Sequence, residues 1–223
     1  MNAQKSYNTY KNLLFINSWI FMFSSIGILC VIEPFITIWI GKEYKLPFSV
    51  LAVLVLNFYI QGMKRTSNTF KEAAGIYYKG RFLAISEALL NIIFSIIFVK
   101  LYGIVGVFLG DIISAMIWFF YGYPKYIYKP IFRRTYIQYI KDYIPYIFAS
   151  ITSLIITYFI VGVINVENIW IKILSNIIIV LVVPNILYLL FFLKTKEFNY
   201  FKNIIINFFG GIIKKSKVKL DNN

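Results

Sequence analysis

The 223-residue chain has no histidine, a single cysteine, and only nine acidic residues against 23 lysines and arginines. Without histidine there is no imidazole for acid–base catalysis, for a proton relay or for a metal. Cys30, alone and inside an apolar run, forms neither a disulfide nor a thiolate cluster within one chain. It reads as a small buried apolar residue. Charged residues make up 14% of the chain, well below the roughly 25% of soluble domains. Glycine-rich phosphate loops, paired aqueous carboxylates and nucleophile–base pairs are all missing. Neither an enzyme nor a bound cofactor or metal is therefore expected. The first apolar run is too long for a cleavable signal peptide and lacks a small-residue cleavage site.

Apolar residues fill the space those absences leave. The chain is 60% hydrophobic and 20% aromatic, with a mean hydropathy of +0.73. Six apolar stretches run over about 13–33, 46–63, 82–100, 103–123, 144–164 and 169–193. A hydrocarbon core about 30 Å thick needs roughly 20 such residues in a helix. The expected fold is an all-α integral membrane protein with about six transmembrane helices. Residues 1–193 form the membrane segment and 194–223 a basic amphipathic tail. Of the 23 basic residues, one set of alternate gaps holds only Lys42, Lys45, Lys100 and Lys172. Lysine and arginine are retained on the cytoplasmic side of membrane helices, so both termini are read as cytoplasmic. This placement also accounts for the +14 net charge, and nucleic acid is not an expected partner.

The outer connections are short: Gly41–Lys45, Leu101–Gly103 and Asn165–Asn168. Short links make the flanking helices antiparallel neighbours. The inner connections are longer and amphipathic. Residues 64–81 suggest a helical extension with a turn at Gly80. Residues 124–143 set Ile131, Phe132, Tyr136 and Tyr139 against a basic face. In the tail, Tyr200, Phe201, Ile204, Ile205, Phe208, Phe209, Ile212 and Ile213 form a helical stripe ahead of Lys214, Lys215, Lys217 and Lys219. These segments are expected to lie in the interface against anionic membrane lipid. Trp39, Trp118 and Trp170 fall near the expected membrane boundaries. Pro184 falls mid-helix, where it removes a backbone hydrogen bond.

Polar residues inside apolar runs carry the functional information, because a charged side chain at mid-membrane costs at least about 2.5–3.5 kcal/mol. Glu87, Asn91 and Ser95 recur every four residues on the third stretch and share one face. Ser49, Asn57, Gln61 and Arg65 share a face on the second. Gly106, Gly110 and Ser114 form a small-residue ridge on the fourth, with Asp111 one residue off it. Arg81 is placed to neutralise Glu87. Glu87 and Asp111 fit either a polar substrate path or structural pairing. Asn57, Gln61 and Asn91 fit either ligands or hydrogen-bond glue between helices. The glycine ridge reads as packing.

Several of these residues occur in a familiar order. Pro34-Phe35-Ile36-Thr37-Ile38-Trp39-Ile40-Gly41 resembles the "PFI-x-LW-x-G" segment of bacterial O-antigen and capsular polysaccharide flippases, within the multidrug/oligosaccharidyl-lipid/polysaccharide exporter superfamily. Leu56-Asn57-Phe58-Tyr59, Phe70-Lys71-Glu72-Ala73-Ala74-Gly75-Ile76-Tyr77 and the Arg81, Glu87, Asn91, Ser95 run continue the resemblance. Gly103-Ile104-Val105-Gly106-Val107-Phe108-Leu109-Gly110 resembles its "GI-x-GVFLG" helix, and Tyr128-Lys129 its "YK" connection. About residues 5–135 are covered. Two departures stand out: Asp111 replaces the family's usual Thr, and the family has two lobes in a longer chain. The resemblance implies the carboxy-terminal part of such a flippase in the bacterial inner membrane. It implies export of undecaprenyl-diphosphate-linked oligosaccharide by alternating access between two lobes. The implied partners are the lipid-linked oligosaccharide, an amino-terminal lobe and other polysaccharide-assembly proteins. Arg65 and Arg81 become candidates for attracting the diphosphate, or else serve as ordinary positive-inside charges. The alternatives are a non-transporting remnant and a membrane scaffold of a polysaccharide-assembly complex.

Overall fold

The computed structural model describes residues 3–164 and 166–220, with side chains placed except at 77–80 and 209–220. Among the described residues every regular element is helical. They are α1 (Ala3–Trp39), a 3-10 turn (Lys42–Tyr44), α2 (Phe48–Ala73), α3 (Tyr77–Tyr102), α4 (Ile104–Ile117), α5 (Lys129–Phe132), α6 (Tyr136–Val163), α7 (Ile169–Phe192) and α8 (Lys196–Leu220). Two π-helical stretches, Trp118–Gly122 and Pro124–Tyr128, join α4 to α5, so that Ile104–Phe132 is one rod. Among the described residues five helices are long and apolar enough to cross a membrane: α1, α3, the α4–α5 rod, α6 and α7. The chain is an all-α integral membrane protein.

The apolar stretch at 46–63 falls in α2, which is not among those five. From Asn57 onward α2 carries Asn57, Gln61, Lys64 and Arg65, which dilute its apolar content. Length is not the obstacle, since 26 residues rise about 39 Å at 1.5 Å each.

Helix ends follow local chemistry. Gly75 (φ 66°) closes α2 in a left-handed conformation that glycine adopts without a Cβ penalty. The Ile76 amide donates to the Lys71 carbonyl at 3.1 Å and the Gly75 amide to Glu72 at 3.0 Å, a Schellman ending. The turn expected at Gly80 therefore comes five residues earlier, because Gly80 already lies within α3. Thr135 caps α6 by accepting from the Gln138 amide, and Asn168 caps α7 by accepting from Trp170 and Ile171.

α1 is the central helix, touching α2, α5, α6, α7 and α8. Its buried row repeats every four residues through Tyr10, Leu14, Ser18, Met22, Ile26, Cys30 and Pro34, as one helix face requires. α7 answers with Asn176, Val180, Pro184, Tyr188 and Phe192. Hydrogen bonds zip the two: Asn176 donates to the Cys30 carbonyl at 2.8 Å, Tyr188 to the Phe15 carbonyl at 2.9 Å, and the Trp19 indole to Asn185 at 2.6 Å. On the opposite side α2 leads to α4, and α3 packs on α4.

The segment 124–143 is packed into the bundle and does not lie along its surface. Pro124 lacks an amide, and the π-helical turns carry the chain past it without breaking the rod. Arg133, in the left-handed conformation, then turns the chain back. Phe132 and Tyr139 become core residues beside Tyr10, Phe70, Tyr128 and Tyr143, whereas Tyr136 stays exposed. Trp118, expected as a boundary anchor, packs half-buried against the same core. In the tail, Phe201 packs inward, while Tyr200, Ile204, Ile205 and Phe208 are exposed. Phe209, Ile212 and Ile213 of the expected stripe, and Lys214, Lys215, Lys217 and Lys219 after it, lie outside the described side chains.

A buried carboxylate ties this end together. Asp142 accepts from Tyr7 (3.0 Å), Tyr128 (2.6 Å), Gln138 (3.1 Å) and Lys11 (3.3 Å), and Lys11 reaches on to Glu197 of α8 at 3.7 Å. Asp142→Leu leaves the Tyr7 and Tyr128 phenols without their acceptor and Lys11 with Glu197 as its remaining counter-charge. It is expected to cost about 3 kcal/mol, read by thermal unfolding in lipid–detergent mixtures. Faster proteolytic cutting near Lys196–Lys202 should accompany it as α8 loosens. Asp142→Asn, which keeps an acceptor, should cost less.

Candidate functional site

Apart from the Asp142 cluster, an extended polar seam forms where α3 and α4 meet α2. Gly103 (φ 58°) lets α4 turn back directly after α3. Gly106 and Gly110 then bring the two backbones together. A Cβ at Gly106 would stand 2.0 Å from the Phe98 carbonyl oxygen, and one at Gly110 2.5 Å from the Ser95 amide. This close approach sets the face bearing Glu87, Asn91 and Ser95 beside Asp111 and against α2.

The seam begins at Lys64, whose residue is only 2% exposed. Its ammonium forms an ion pair with Glu87 and donates to Gln61 Oε1 at 3.2 Å. Gln61 reaches Asn57 Oδ1 at 3.5 Å, and Asn57 donates to one Asp111 oxygen. Asn91 donates to the other at 2.7 Å. Ser95, with one proton to give, lies 2.9 Å from Asn91 Oδ1 and 3.1 Å from the Val107 carbonyl. From Glu87 to Ser95 the run extends about 12 Å along α3. Below Lys64, the Tyr123 hydroxyl donates to Asn68 at 3.0 Å, and the Lys64 ammonium stands 5.9 Å from the Tyr123 ring centre.

Six of the eight residues singled out by sequence therefore meet: Glu87, Asn91, Ser95, Asn57, Gln61 and Asp111. Arg65 and Arg81 do not. Both are exposed, and among the described residues neither guanidinium has an ion-pair partner. The counter-charge of Glu87 is Lys64 from the neighbouring helix, where Arg81 was expected. By position alone Lys64 is one of the basic residues that the charge bias assigns to the cytoplasmic side. The spacing held a signal, however, because Asn57, Gln61, Lys64 and Asn68 recur at steps of four, three and four, a single helix face. Asp142 carried no comparable sign. Ser49, grouped with Asn57 by spacing, is exposed at the start of α2.

Chemically, the seam offers a buried ammonium and two carboxylates joined by amides that both donate and accept. Oxygens of Asp111, Asn57, Asn91 and Ser95 with the Val107 carbonyl are donor types that hard cations take, and here they are engaged with one another. Among the described residues no three His, Cys, Asp or Glu side chains converge on a common point. No protein-family model, curated protein or solved structure matches the chain.

Proposed function

We propose that this chain is part of a transporter that flips undecaprenyl-diphosphate-linked oligosaccharide repeat units across the bacterial inner membrane, for O-antigen or capsule synthesis. The observation that carries the reading is the polar seam. A largely buried ion pair continued by three amides, a second carboxylate and a hydroxyl is expensive between apolar helices, and its amides, carboxylates and hydroxyl suit sugar hydroxyls, while the exposed Arg65 and Arg81 stay the candidates for the diphosphate. The resemblance over about residues 5–135 supplies the substrate class. In this reading both termini are cytoplasmic, with α2 as the sixth crossing. Alternating access opens the seam between this lobe and an amino-terminal one. Anionic lipid binds the basic α8 segment, and no catalytic step is involved.

A second reading, a scaffold within a polysaccharide-assembly complex, is favoured by the same seam's internal satisfaction, since glue between helices needs no ligand. Complementation separates the two. Joined in frame to the amino-terminal lobe of a flippase of the resembled family, the chain should restore surface polysaccharide to a cell lacking its own flippase. The 223-residue chain alone should not. Asp111→Asn in the joined protein keeps the side-chain size while removing the charge and one of the two amide bonds from Asn57 and Asn91, and should abolish export at unchanged protein level. Full export from Asp111→Asn would leave the seam as glue, and failure of the joined, stably inserted protein would remove the transport reading.

A further inference from the structure

A cavity of about 440 Å³ lies between α1, α2, the π-helical end of α4, and α6. Met22, Ile26, Met63, Met116, Phe119 and Leu154 form much of its wall. Two of the wall's hydroxyls satisfy each other, Tyr59 donating to Ser150 at 2.9 Å. The third, Ser25 Oγ, is covered by its neighbours and presents no surface to the cavity. The space therefore offers an occupant no hydrogen bond, and apolar cavities of this kind stay dry. Its rim includes Phe48, Leu56, Phe120 and Ile151, all exposed on the outside of the bundle, and carries no charged side chain. In an integral membrane protein that outside is hydrocarbon.

We infer that this cavity holds one acyl chain of a bilayer phospholipid, inserted sideways between the helices. The inference rests on the membrane assignment of the helices and not on transport. Leaving the cavity empty forfeits the dispersion contacts of its whole lining, whereas a chain entering from the bilayer loses no hydrophobic stabilisation, because its surroundings stay apolar. The size fits: an engineered cavity of about 150 Å³ takes one benzene, so this one takes a hydrocarbon of roughly 18 carbons by the same ratio. Three methionines in the wall supply adaptable contacts for a flexible chain.

Methionine methyl signals test this. The chain has four methionines, and Met22, Met63 and Met116 all line the cavity. Met22 and Met63 are only 1% and 2% exposed, so lipid packed around the outside does not touch them. In nanodiscs of phosphatidylcholine with protonated acyl chains, both methyls of an otherwise deuterated protein should show nuclear Overhauser contacts to acyl-chain methylenes, which need near contact. Narrowing the cavity with Ala52→Phe should remove both contacts, while the more exposed Met116 keeps its own. If Ala52→Phe does not insert, Ile151→Trp narrows the space from α6, and the wild-type spectrum decides in either case. Absence of acyl-chain contacts at Met22 and Met63 overturns the inference. So does their replacement by contacts to isoprenoid methyls on adding one equivalent of undecaprenyl phosphate, which makes a polyprenyl chain the occupant. Contacts to methyls of a differently labelled second chain, lost on protein dilution, make it a second copy of the chain, again overturning the proposal.

Discussion

Glu87→Leu should destabilise the bundle by about 3–5 kcal/mol, because removing one partner of a buried ion pair leaves the other charge uncompensated. The side chains differ in exposure, Lys64 at 3% and Glu87 at 22%, so the direction of the deletion matters. Losing Glu87 strands an ammonium that has only Gln61 and the Tyr123 ring nearby. Losing Lys64 strands a carboxylate that can still turn toward water or lipid headgroups. Lys64→Met should accordingly cost less than Glu87→Leu. The double variant should recover much of the loss, since a buried pair replaced by apolar residues of similar volume is often neutral or stabilising. Thermal unfolding of the four proteins, arranged as a double-mutant cycle, gives the coupling. Single-variant losses that simply add would show that the two residues do not interact.

Gly106→Ala and Gly110→Ala should each pry the α3–α4 hairpin apart. A new Cβ at Gly106 would meet backbone of Phe98 and Val99, and one at Gly110 the Ser95 backbone together with its Oγ, so even with the Ser95 hydroxyl turned away the helices themselves must separate. Overpacking of this kind costs about 1–3 kcal/mol and occasionally more. The loss here should reach the upper end, because separation also pulls Asn91 and Ser95 away from Asp111 and Val107. Oxidative cross-linking of cysteines placed at Asn91 and Asp111, whose side chains meet across α3 and α4 at 2.7 Å, on a Cys30→Ala background reads the spacing. Efficient cross-linking in wild type should fall in the Gly106 variant. Unchanged cross-linking together with unchanged stability would contradict the close approach.

Much of this architecture was legible in residue order. Apolar runs of bilayer length, broken by Gly41, Gly103 and the polar link before Asn168, specify the antiparallel helices, whereas the turn expected at Gly80 falls at Gly75. Backbone hydrogen bonds must be met internally in hydrocarbon, and a helix is how a lone segment does so. Face periodicity placed Glu87, Asn91 and Ser95 together, and the Gly106–Gly110 step announced a close helix pair. The behaviour of the chain after Pro124 was not legible. Proline ordinarily ends or kinks a helix, and only packing of Ile127, Tyr128 and Phe132 against the core favours continuing through π-helical turns.

The tertiary structure also decided which basic residue of α2 turns inward. Lys64 and Arg65 stand three and four residues beyond Gln61, and both steps fall on the same side of a helix. The angle at which α3 and α4 meet α2 selects Lys64 for burial beside Glu87 and leaves Arg65 exposed. Asp142 is the same kind of case: its four donors come from α1, α6 and the π-helical turn before α5, more than a hundred residues apart for Tyr7 and Lys11. Local spacing reports which side chains share a face, whereas the choice of partner across a helix interface depends on how separate helices cross, and that is set by packing of the whole bundle.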